Sequence, residues 1–395
     1  MKDKKRVLLV LRRMGMGGIE QATRTLARAL QNAGHEAHLL VLKGQVPSAD
    51  RETCWLHQYD VDRESRQGLG RFIHLADKAL LSPLIKQSGF VWRGRRCSTA
   101  FKDYVAALEA QHGRFDLILI RGQGAFENLW AFDDERTWRV VEAVTGRFTN
   151  TAKGRWLTRT LYQGKQLLHV SRGVQQEVGE YLDRQGAEVS RSELLYNAVP
   201  IEDIRRKATE SAEPAIPRPY LVHVARLVPV KNQQRLLKAY HLAVNQGLDH
   251  DLVIIGDGSE RRHLEEMTLE LGLAARVHFL GQRDNPYPWM KDATALVLSS
   301  NFEGLGIVLV EALALGTQCV ACKVPGGISE VLTGPQARLL AEPSDTGLAE
   351  KLLEAVQDPV IIDENMIKVF EPQSVIAQLM ALTEAPSERL YAHPA

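Results

Sequence analysis

Between Ala293 and Ala321 the chain passes from an apolar run through two glycines into a short apolar helix pattern, and this stretch restricts the fold more than any other. Ala293 to Leu298 has the continuous apolar character of a strand buried on both faces, which places it inside a parallel sheet. Gly304 and Gly306 then permit a tight turn whose backbone can approach a ligand closely. Ile307, Val310, Leu313 and Ala314 recur at helical core spacing, and Gly316 stands where that helix should stop. Strand, glycine turn and helix together make an anion site, because unpaired N–H groups and the positive end of the helix dipole face outward. Glu303 and Glu311 flank it, one on the turn and one about a turn into the helix. Beside a bound anion, carboxylates are better suited to accept hydrogen bonds from ligand hydroxyls than to contact phosphate. Hydroxyls at one end and phosphate in the middle describe a sugar nucleotide.

Phe302-Glu303-Gly304-Leu305-Gly306-Ile307, continuing through Glu311-Ala312-Leu313-Ala314-Leu315-Gly316-Thr317, resembles the E-x7-E signature of retaining glycosyltransferases of family four. The resemblance implies an α/β protein of the GT-B fold, with two Rossmann-like domains whose parallel sheets face a central cleft. A generic Rossmann-like strand and helix with two surface glutamates would also produce the bare spacing. The matching glycines and apolar positions are what separate the two readings.

The chain's 395 residues suffice for two domains of ordinary size, and 45% hydrophobic with 25% charged residues suits a soluble globular protein. No apolar run approaches the ~20 residues needed to span a bilayer. Lys2 to Arg6 before Val7-Leu-Leu-Val-Leu11 imitates the start of a signal peptide, but the apolar part is too short and fits a first strand better. Cys54, Cys97, Cys319 and Cys322 suggest no disulfide framework, and the C-x-x-C pair lies in an apolar, strand-like run suited to packing. The net charge of +1 hides an asymmetry: residues 1–200 carry 31 Lys and Arg against 22 Asp and Glu, the remainder 18 against 26. A basic first half points to an anionic partner there, either nucleic acid or a membrane with its lipid-borne substrate.

Arg6 to Leu11 forms an expected first strand, followed by Arg12-Arg-Met-Gly-Met-Gly-Gly18 and a helix from Ile19 to about Ala33. Gly15-x-Gly17-Gly18 invites a dinucleotide site, yet Glu20 occupies the third glycine's place and the second strand ends in Lys43-Gly44, without an acid for a ribose. The resemblance instead makes Gly17 and Gly18 substrate-binding positions; the plainer reading is a turn serving chain geometry only. Asp60-Val-Asp62 has the D-x-D form of a metal ligand pair, but nothing around it supports a strand, so it is expected in a solvated loop. Between Val61 and Val105 nine basic residues face four acidic ones, interleaved with Leu69, Phe72, Ile73, Leu80, Leu81, Leu84, Ile85, Phe90 and Trp92. That mixture suits an interfacial segment or an amphipathic helix pair on the sheet.

Phe115 to Ile120 is a buried strand, and Trp138 to Gly146 the next. Many family-four relatives carry a histidine there; this chain has none, and Glu142 is the candidate for its place. Gln166 to Ser171 resembles the family's strand ending in serine, with His169 expected in the core. Leu194 to Pro200 resembles the interdomain passage, so the domains are set at 1–200, for the acceptor, and 201–395, for the nucleotide-sugar, with the last helix free to pack back on the first. Arg206 to Arg218 has the polar, proline-bearing character of a hinge region. Arg226-Leu-Val-Pro-Val-Lys231 follows the strand Pro219–Val224 and resembles the family's phosphate clamp; Arg offers a planar fork and Lys a mobile charge. Gly256-Asp-Gly258, Gln282 to Asn285 as a nucleobase frame, and Pro325 to Glu330 extend the resemblance.

The resemblance thus implies a metal-independent, cofactor-free hexosyltransferase that retains configuration, taking a nucleotide-sugar, of UDP type, to a saccharide or lipid-linked acceptor in lipopolysaccharide or surface-polysaccharide synthesis. It would work in the cytoplasm or peripherally on the inner membrane face. Arg226, Lys231 and the N–H groups near Gly306 would serve the departing diphosphate. Glu303 would orient the sugar, and Glu311 the ribose. Gly304, Leu305 and Ile307 would line the donor. A sugar-nucleotide epimerase of the same fold and a non-catalytic glycan- or lipid-binding relative are the rival readings; no nucleic-acid module is found.

Overall fold

Apolar runs in this sequence are short and closed by glycine or polar turns, the pattern of parallel strands alternating with covering helices. The computed structural model describes residues 4–15, 17–44, 54–66, 89–143, 148 and 150–384. They form two compact units: Met1–Val170 with Val174–Ala198 and Pro372–Ala395, and Ser171–Gly173 with Val199–Glu371.

In the first unit, strands β1 (Arg6–Leu11), β2 (Glu36–Val41), β3 (Trp55–Gln58), β4 (Leu117–Arg121), β5 (Thr137–Val141), β6 (Gln166–His169) and β7 (Arg191–Leu194) form one sheet. Their order is β3-β2-β1-β4-β5-β6-β7, and every pairing is parallel. Val7 to Val10, Leu39 to Val41 and Leu117 to Ile120 are almost wholly buried, so helices must cover both faces of these strands. Among the described residues the helices are α1 (Gly18–Asn32), α2 (Val61–Glu64), α3 (Gly89–His112), α4 (Gln123–Asn128), α5 (Ala152–Tyr162) and α6 (Arg172–Gln185).

The second unit contains α7 (Ile201–Lys207) and a six-stranded sheet of β8 (Tyr220–Val224), β9 (Asp251–Ile255), β10 (Val277–Gly281), β11 (Ala295–Leu298), β12 (Cys319–Cys322) and β13 (Leu340–Ala341). The order β10-β9-β8-β11-β12-β13 is again wholly parallel. Its connections include α8 (Gln233–Asn245), α9 (Arg261–Glu270), α10 (Tyr287–Asp292), α11 (Ile307–Ala314), α12 (Ile328–Val331) and α13 (Asp345–Gln357). Leu221, Leu236, Leu252, Ile254, Val297, Val320 and Leu348 build its core, each worth about 1.5–3 kcal/mol of burial.

In both sheets the strand order reverses between two central neighbours, β1 and β4 in one and β8 and β11 in the other. Beyond the carboxyl ends of such a pair, the outgoing loops turn to opposite sides and leave room for a ligand. Each unit is thus Rossmann-like, as the resemblance implied.

The chain crosses between units at Ala198 and again at Glu371, and α14 (Pro372–Glu384) packs on α1 within the first unit. The polar stretch 206–218 lies wholly inside the second unit, where Pro214 accepts a hydrogen bond from Trp289 Nε1. Asp60 and Asp62 are not a solvated loop: Asp60 caps α2 by accepting from the Arg63 N–H, and Asp62 is buried beside Arg93 Nε at 3.5 Å and Lys43 Nζ at 3.9 Å. The two carboxylates thus serve a helix start and a pair of cations. Of the interleaved apolar residues expected at an interface, Leu69, Phe72, Ile73, Leu80, Leu81, Leu84 and Ile85 lie outside the described residues, as does the side chain of Phe90. From Gly89 onward the segment is a single helix with Trp92 43% exposed. Cys319 and Cys322 are both buried, and three residues apart on a strand they point to opposite faces, so they share no site.

Candidate active site

The reversal between β8 and β11 places two loops side by side, Ala225–Asn232 and Ser299–Gly306. Main-chain and side-chain bonds stitch them together: the Asn301 N–H donates to Val230 O at 2.8 Å, and Ser299 Oγ to Lys231 O at 3.0 Å. Arg235, on α8, donates to Ser299 O and to Asn301 Oδ1, both at 3.0 Å. Asn232, at φ 46, caps α8 by accepting from the Arg235 N–H and also donates to Asn301. These links fix the two loops as one body.

Lys231 Nζ lies 2.6 Å from Glu303 Oε1, and Ser300 Oγ donates to the same oxygen at 2.6 Å. Glu303 is only 7% exposed, so its charge is met mainly by these two partners. Its backbone is equally fixed: Glu303 bridges to Gly326, whose φ of 101 suits glycine, and a Cβ there would lie 1.7 Å from Glu303 O. Gly306 takes φ 79 and starts α11 without any side-chain cap, leaving the first N–H groups of that helix to a ligand or water. Leu305 is buried, Ile307 half-buried, and Gly304 lies between them and Glu303.

Arg226 differs from Lys231 in being exposed, and its guanidinium makes no hydrogen bond or ion pair with the described residues. Its backbone is held from two sides. The first is the Gly256–Gly258 turn, where a Cβ at Gly256 would come 1.9 Å from Ala225 O and one at Gly258 2.2 Å from Leu227 O. The second is Gln233, which donates to Arg226 O at 2.9 Å and also meets His223 Nε2 at 3.2 Å. His223 is fully buried on β8, and its Nδ1 lies 2.8 Å from Val297 O. A carbonyl only accepts, so Nδ1 carries the proton and Nε2 accepts from Gln233. Burial holds this imidazole down at about 4, so it stays neutral.

Glu311 is half-buried on α11 and accepts from the Tyr287 hydroxyl at 3.2 Å. Burial raises its carboxyl to about 7, against the opposing effects of Tyr287 and Lys207. Asn285, expected to frame a base, instead donates to Lys207 O and Glu210 Oε2, both at 2.9 Å. Ser300, His223, Gln233 and Tyr287 were missed by sequence reasoning. Ser300 alone had a local signal, a hydroxyl one turn before Glu303.

In the first unit, Gly17 and Gly18 open α1 after β1, beside that sheet's own reversal point. Glu20 folds back over Gly17, where a Cβ would come 2.4 Å from Oε2, while the space around Gly18 is open. Glu142 is not a free group: Arg121 binds it, and Asn197 donates to its Oε2 at 3.3 Å. His169 is a core residue, bonded to Ser192 Oγ at 3.0 Å and held by burial at about 4.

The site so built joins, at a strand reversal, a Lys–Glu pair, an exposed guanidinium, an open helix start and a second carboxylate. Residues 205–369 match the family model described as glycosyl transferases group 1. The match lies within the second unit and marks a glycosyltransferase of GT-B, family-four type. This glycosyltransferase is 27% identical over 335 residues to the N-acetylgalactosamine-N,N'-diacetylbacillosaminyl-diphospho-undecaprenol 4-alpha-N-acetylgalactosaminyltransferase of Campylobacter jejuni, covering 83% of this chain and 84% of that one. It is also 27% identical over 173 residues to the lipopolysaccharide 1,6-galactosyltransferase of Salmonella typhimurium, covering 43% and 44% of the two chains. Among solved structures, Anabaena Alr3699/HepE in complex with UDP and glucose aligns over 96% of this chain and 99% of its own, with TM-score 0.67 and 17% identity. That likeness shows the fold.

Proposed function

We propose that this glycosyltransferase moves a hexose-type sugar, with retention, from a UDP-sugar to a saccharide acceptor carried on a lipid, in the synthesis of bacterial lipopolysaccharide or another surface glycan. The observation that carries the reading is Lys231 Nζ at 2.6 Å from Glu303 Oε1 in a loop pair at the strand reversal, next to an exposed and unpaired Arg226. The names of the relatives, one acting on a diphospho-undecaprenol acceptor and one on lipopolysaccharide, support the choice of acceptor class.

With a donor bound, the diphosphate lies across Arg226, Lys231 and the N–H groups at the start of α11. As the bond from the anomeric carbon to the phosphate oxygen breaks, charge grows on the diphosphate and those fixed donors stabilise it. Lys231 turns from Glu303 toward the phosphate, and Glu303 then accepts from sugar hydroxyls beside the oxocarbenium-like centre. The acceptor oxygen bonds to the same face of the anomeric carbon, and its proton passes to the leaving phosphate oxygen. No protein base is required, which fits a chain whose Glu142 is tied to Arg121 and Asn197. Glu311 accepts from the ribose hydroxyls.

The enzyme works at the cytoplasmic face of a membrane, docked through its basic first unit. Helix α5 exposes Lys153, Arg155, Trp156 and Arg159, joining cations to an indole in the manner of an interfacial helix. Thermal shift with UDP-, GDP- and ADP-sugars tests the donor. A UDP-sugar should raise Tm, because a ligand at ~100 times its Kd stabilises by about 2.7 kcal/mol. Equal responses to all three nucleotides, or none to UDP-sugars, would remove the donor assignment.

A further inference from the structure

We infer that the first unit holds a divalent transition-metal site, best matched to Zn²⁺, formed by His38, His57 and His112 and separate from the donor site. One ring nitrogen from each histidine lies within 4.8 Å of the other two. Three imidazoles with an open fourth position form a donor set suited to Zn²⁺ and to its transition-metal neighbours.

The three come from three elements: His38 is the third residue of β2, His57 the third of β3, and His112 the last of α3. His38 pairs in register with Trp55, and Leu40 with His57, so Trp55 and His57 share one face of the sheet with His38. His38 Nδ1 stands 2.9 Å from His57 Nε2, a little inside the ~3.3 Å that two nitrogens keep on a tetrahedral zinc with Zn–N near 2.0 Å. The His112 ring meets His38 edge-on at 5.0 Å between centroids and His57 at 5.6 Å. A small opening of the first pair and closure of the third ring complete the set.

The surroundings favour a ligand over a purely packed cluster. His38 is fully buried, and its Nε2 makes no hydrogen bond with the described residues, although Glu36 Oε2 lies 4.0 Å away. A buried polar atom left in this way calls for an explanation. Metal on Nδ1 leaves the proton on Nε2 toward Glu36, and a shortening of that 4.0 Å gap would give the carboxylate–histidine–metal relation by which a second shell fixes the tautomer. Lys4 and Arg6 hold Glu36 in turn, at 2.7 and 2.5 Å. Trp55 stacks on the His38 ring at 5.9 Å between centroids, and Phe115 meets it edge-on at 5.0 Å.

These residues lie in the early part of β2 and at the end of α3, whereas Gly17 and Gly18 follow the carboxyl end of β1. The ion therefore clips β3, at the edge of the sheet, to β2 and α3, and closes chain loops between positions 38, 57 and 112. It takes no part in sugar transfer.

The test uses the full chain, freed of metal and titrated with Zn²⁺ alone. One equivalent should bind and raise Tm, and Co²⁺ in its place should give the intense d–d absorption of a tetrahedral site. His57→Gln and His112→Gln should each weaken Zn²⁺ at least about tenfold, the lower bound for losing even a second-shell partner, and abolish the Tm rise. The metal-free variants should match the metal-free parent in Tm, and chelation should leave initial transfer rates unchanged below the unfolding range. Binding well below one equivalent, an octahedral Co²⁺ spectrum, or unaltered affinity in both variants would overturn the site. The Co²⁺ spectrum needs no variant, so a variant that fails to fold leaves the inference open to refutation.

Discussion

Lys231 and Arg226 carry the same charge on one loop but in different states, and their substitutions should differ accordingly. Lys231 is half-buried against Glu303, so Lys231→Ala leaves a carboxylate that is only 7% exposed without its cation. That should lower stability by about 1–3 kcal/mol as well as turnover. Arg226 is exposed and unpaired, so Arg226→Ala should lower kcat about 10²-fold with Tm unchanged. A kinetic series at saturating donor, read beside thermal melts, checks both; normal turnover in Arg226→Ala would end the clamp assignment. Glu311 adds a pH dependence. Its carboxyl, raised by burial to about 7, binds a proton more readily in the folded chain than in the unfolded one. Its contribution to stability is therefore complete at pH 4 and is lost as pH rises through 7, by at most about 3 kcal/mol before solvent screening. Donor binding runs the opposite way, because only the ionised form accepts from both ribose hydroxyls. The donor KM should fall as pH climbs from 6 to 8, and Glu311→Gln should flatten that profile. An unchanged profile in Glu311→Gln would assign the titration to another group.

At the level of elements, the site is a pair of loops fixed by groups that never reach a substrate. Gln233 is the clearest case, since it joins the buried His223 to the carbonyl of Arg226. Gln233→Ala should leave an unpaired imidazole nitrogen and a loose carbonyl, lowering stability by about 1–3 kcal/mol. It should also reduce kcat more than it raises KM, because the clamp would be misplaced rather than removed. Parent-like kcat in a folded Gln233→Ala would show that the loop holds itself. The strands under these loops were legible because Leu252–Ile255 and Ala295–Leu298 are continuous apolar runs, the sign of parallel strands covered on both faces. Glu303 and Lys231 were legible because glycine positions and cation spacing near them are local. Strands β3 and β7 were not, because Trp55-Leu-His-Gln58 and Arg191-Ser-Glu-Leu194 are mixed edge strands with no apolar run. Tyr287 with Glu311, and His223 with Gln233, join residues whose proximity is decided by tertiary packing, which periodicity does not encode.

At the scale of the whole molecule, charge separates the two halves: residues 1–200 hold 31 Lys and Arg against 22 Asp and Glu, and the rest hold the opposite excess. The arginines singled out by sequence, Arg93, Arg95 and Arg96, do not form one free cluster. Arg93 faces Asp62 at 3.5 Å, Arg96 is half-buried, and only Arg95 is exposed. Helix α5 offers the better surface, with Lys153, Arg155 and Arg159 exposed around Trp156, itself 43% exposed. Each cation at an anionic leaflet contributes about 1 kcal/mol, so three should change vesicle affinity by roughly 10²-fold. The full chain should therefore sediment with vesicles containing anionic lipid and release as salt rises past the ~10 Å screening length of 0.1 M. Replacing Lys153, Arg155 and Arg159 by serine should abolish that recovery, and Trp156→Ala should weaken it at every salt concentration. Arg93→Ser should act chiefly on stability, because it removes a partner of the buried Asp62. Transfer to a water-soluble acceptor should be the same in the triple serine variant as in the parent, while transfer to a vesicle-borne acceptor should fall. Recovery with neutral vesicles equal to that with anionic ones, or no loss in the triple variant, would separate sugar transfer from membrane docking and return these cations to ordinary solvation.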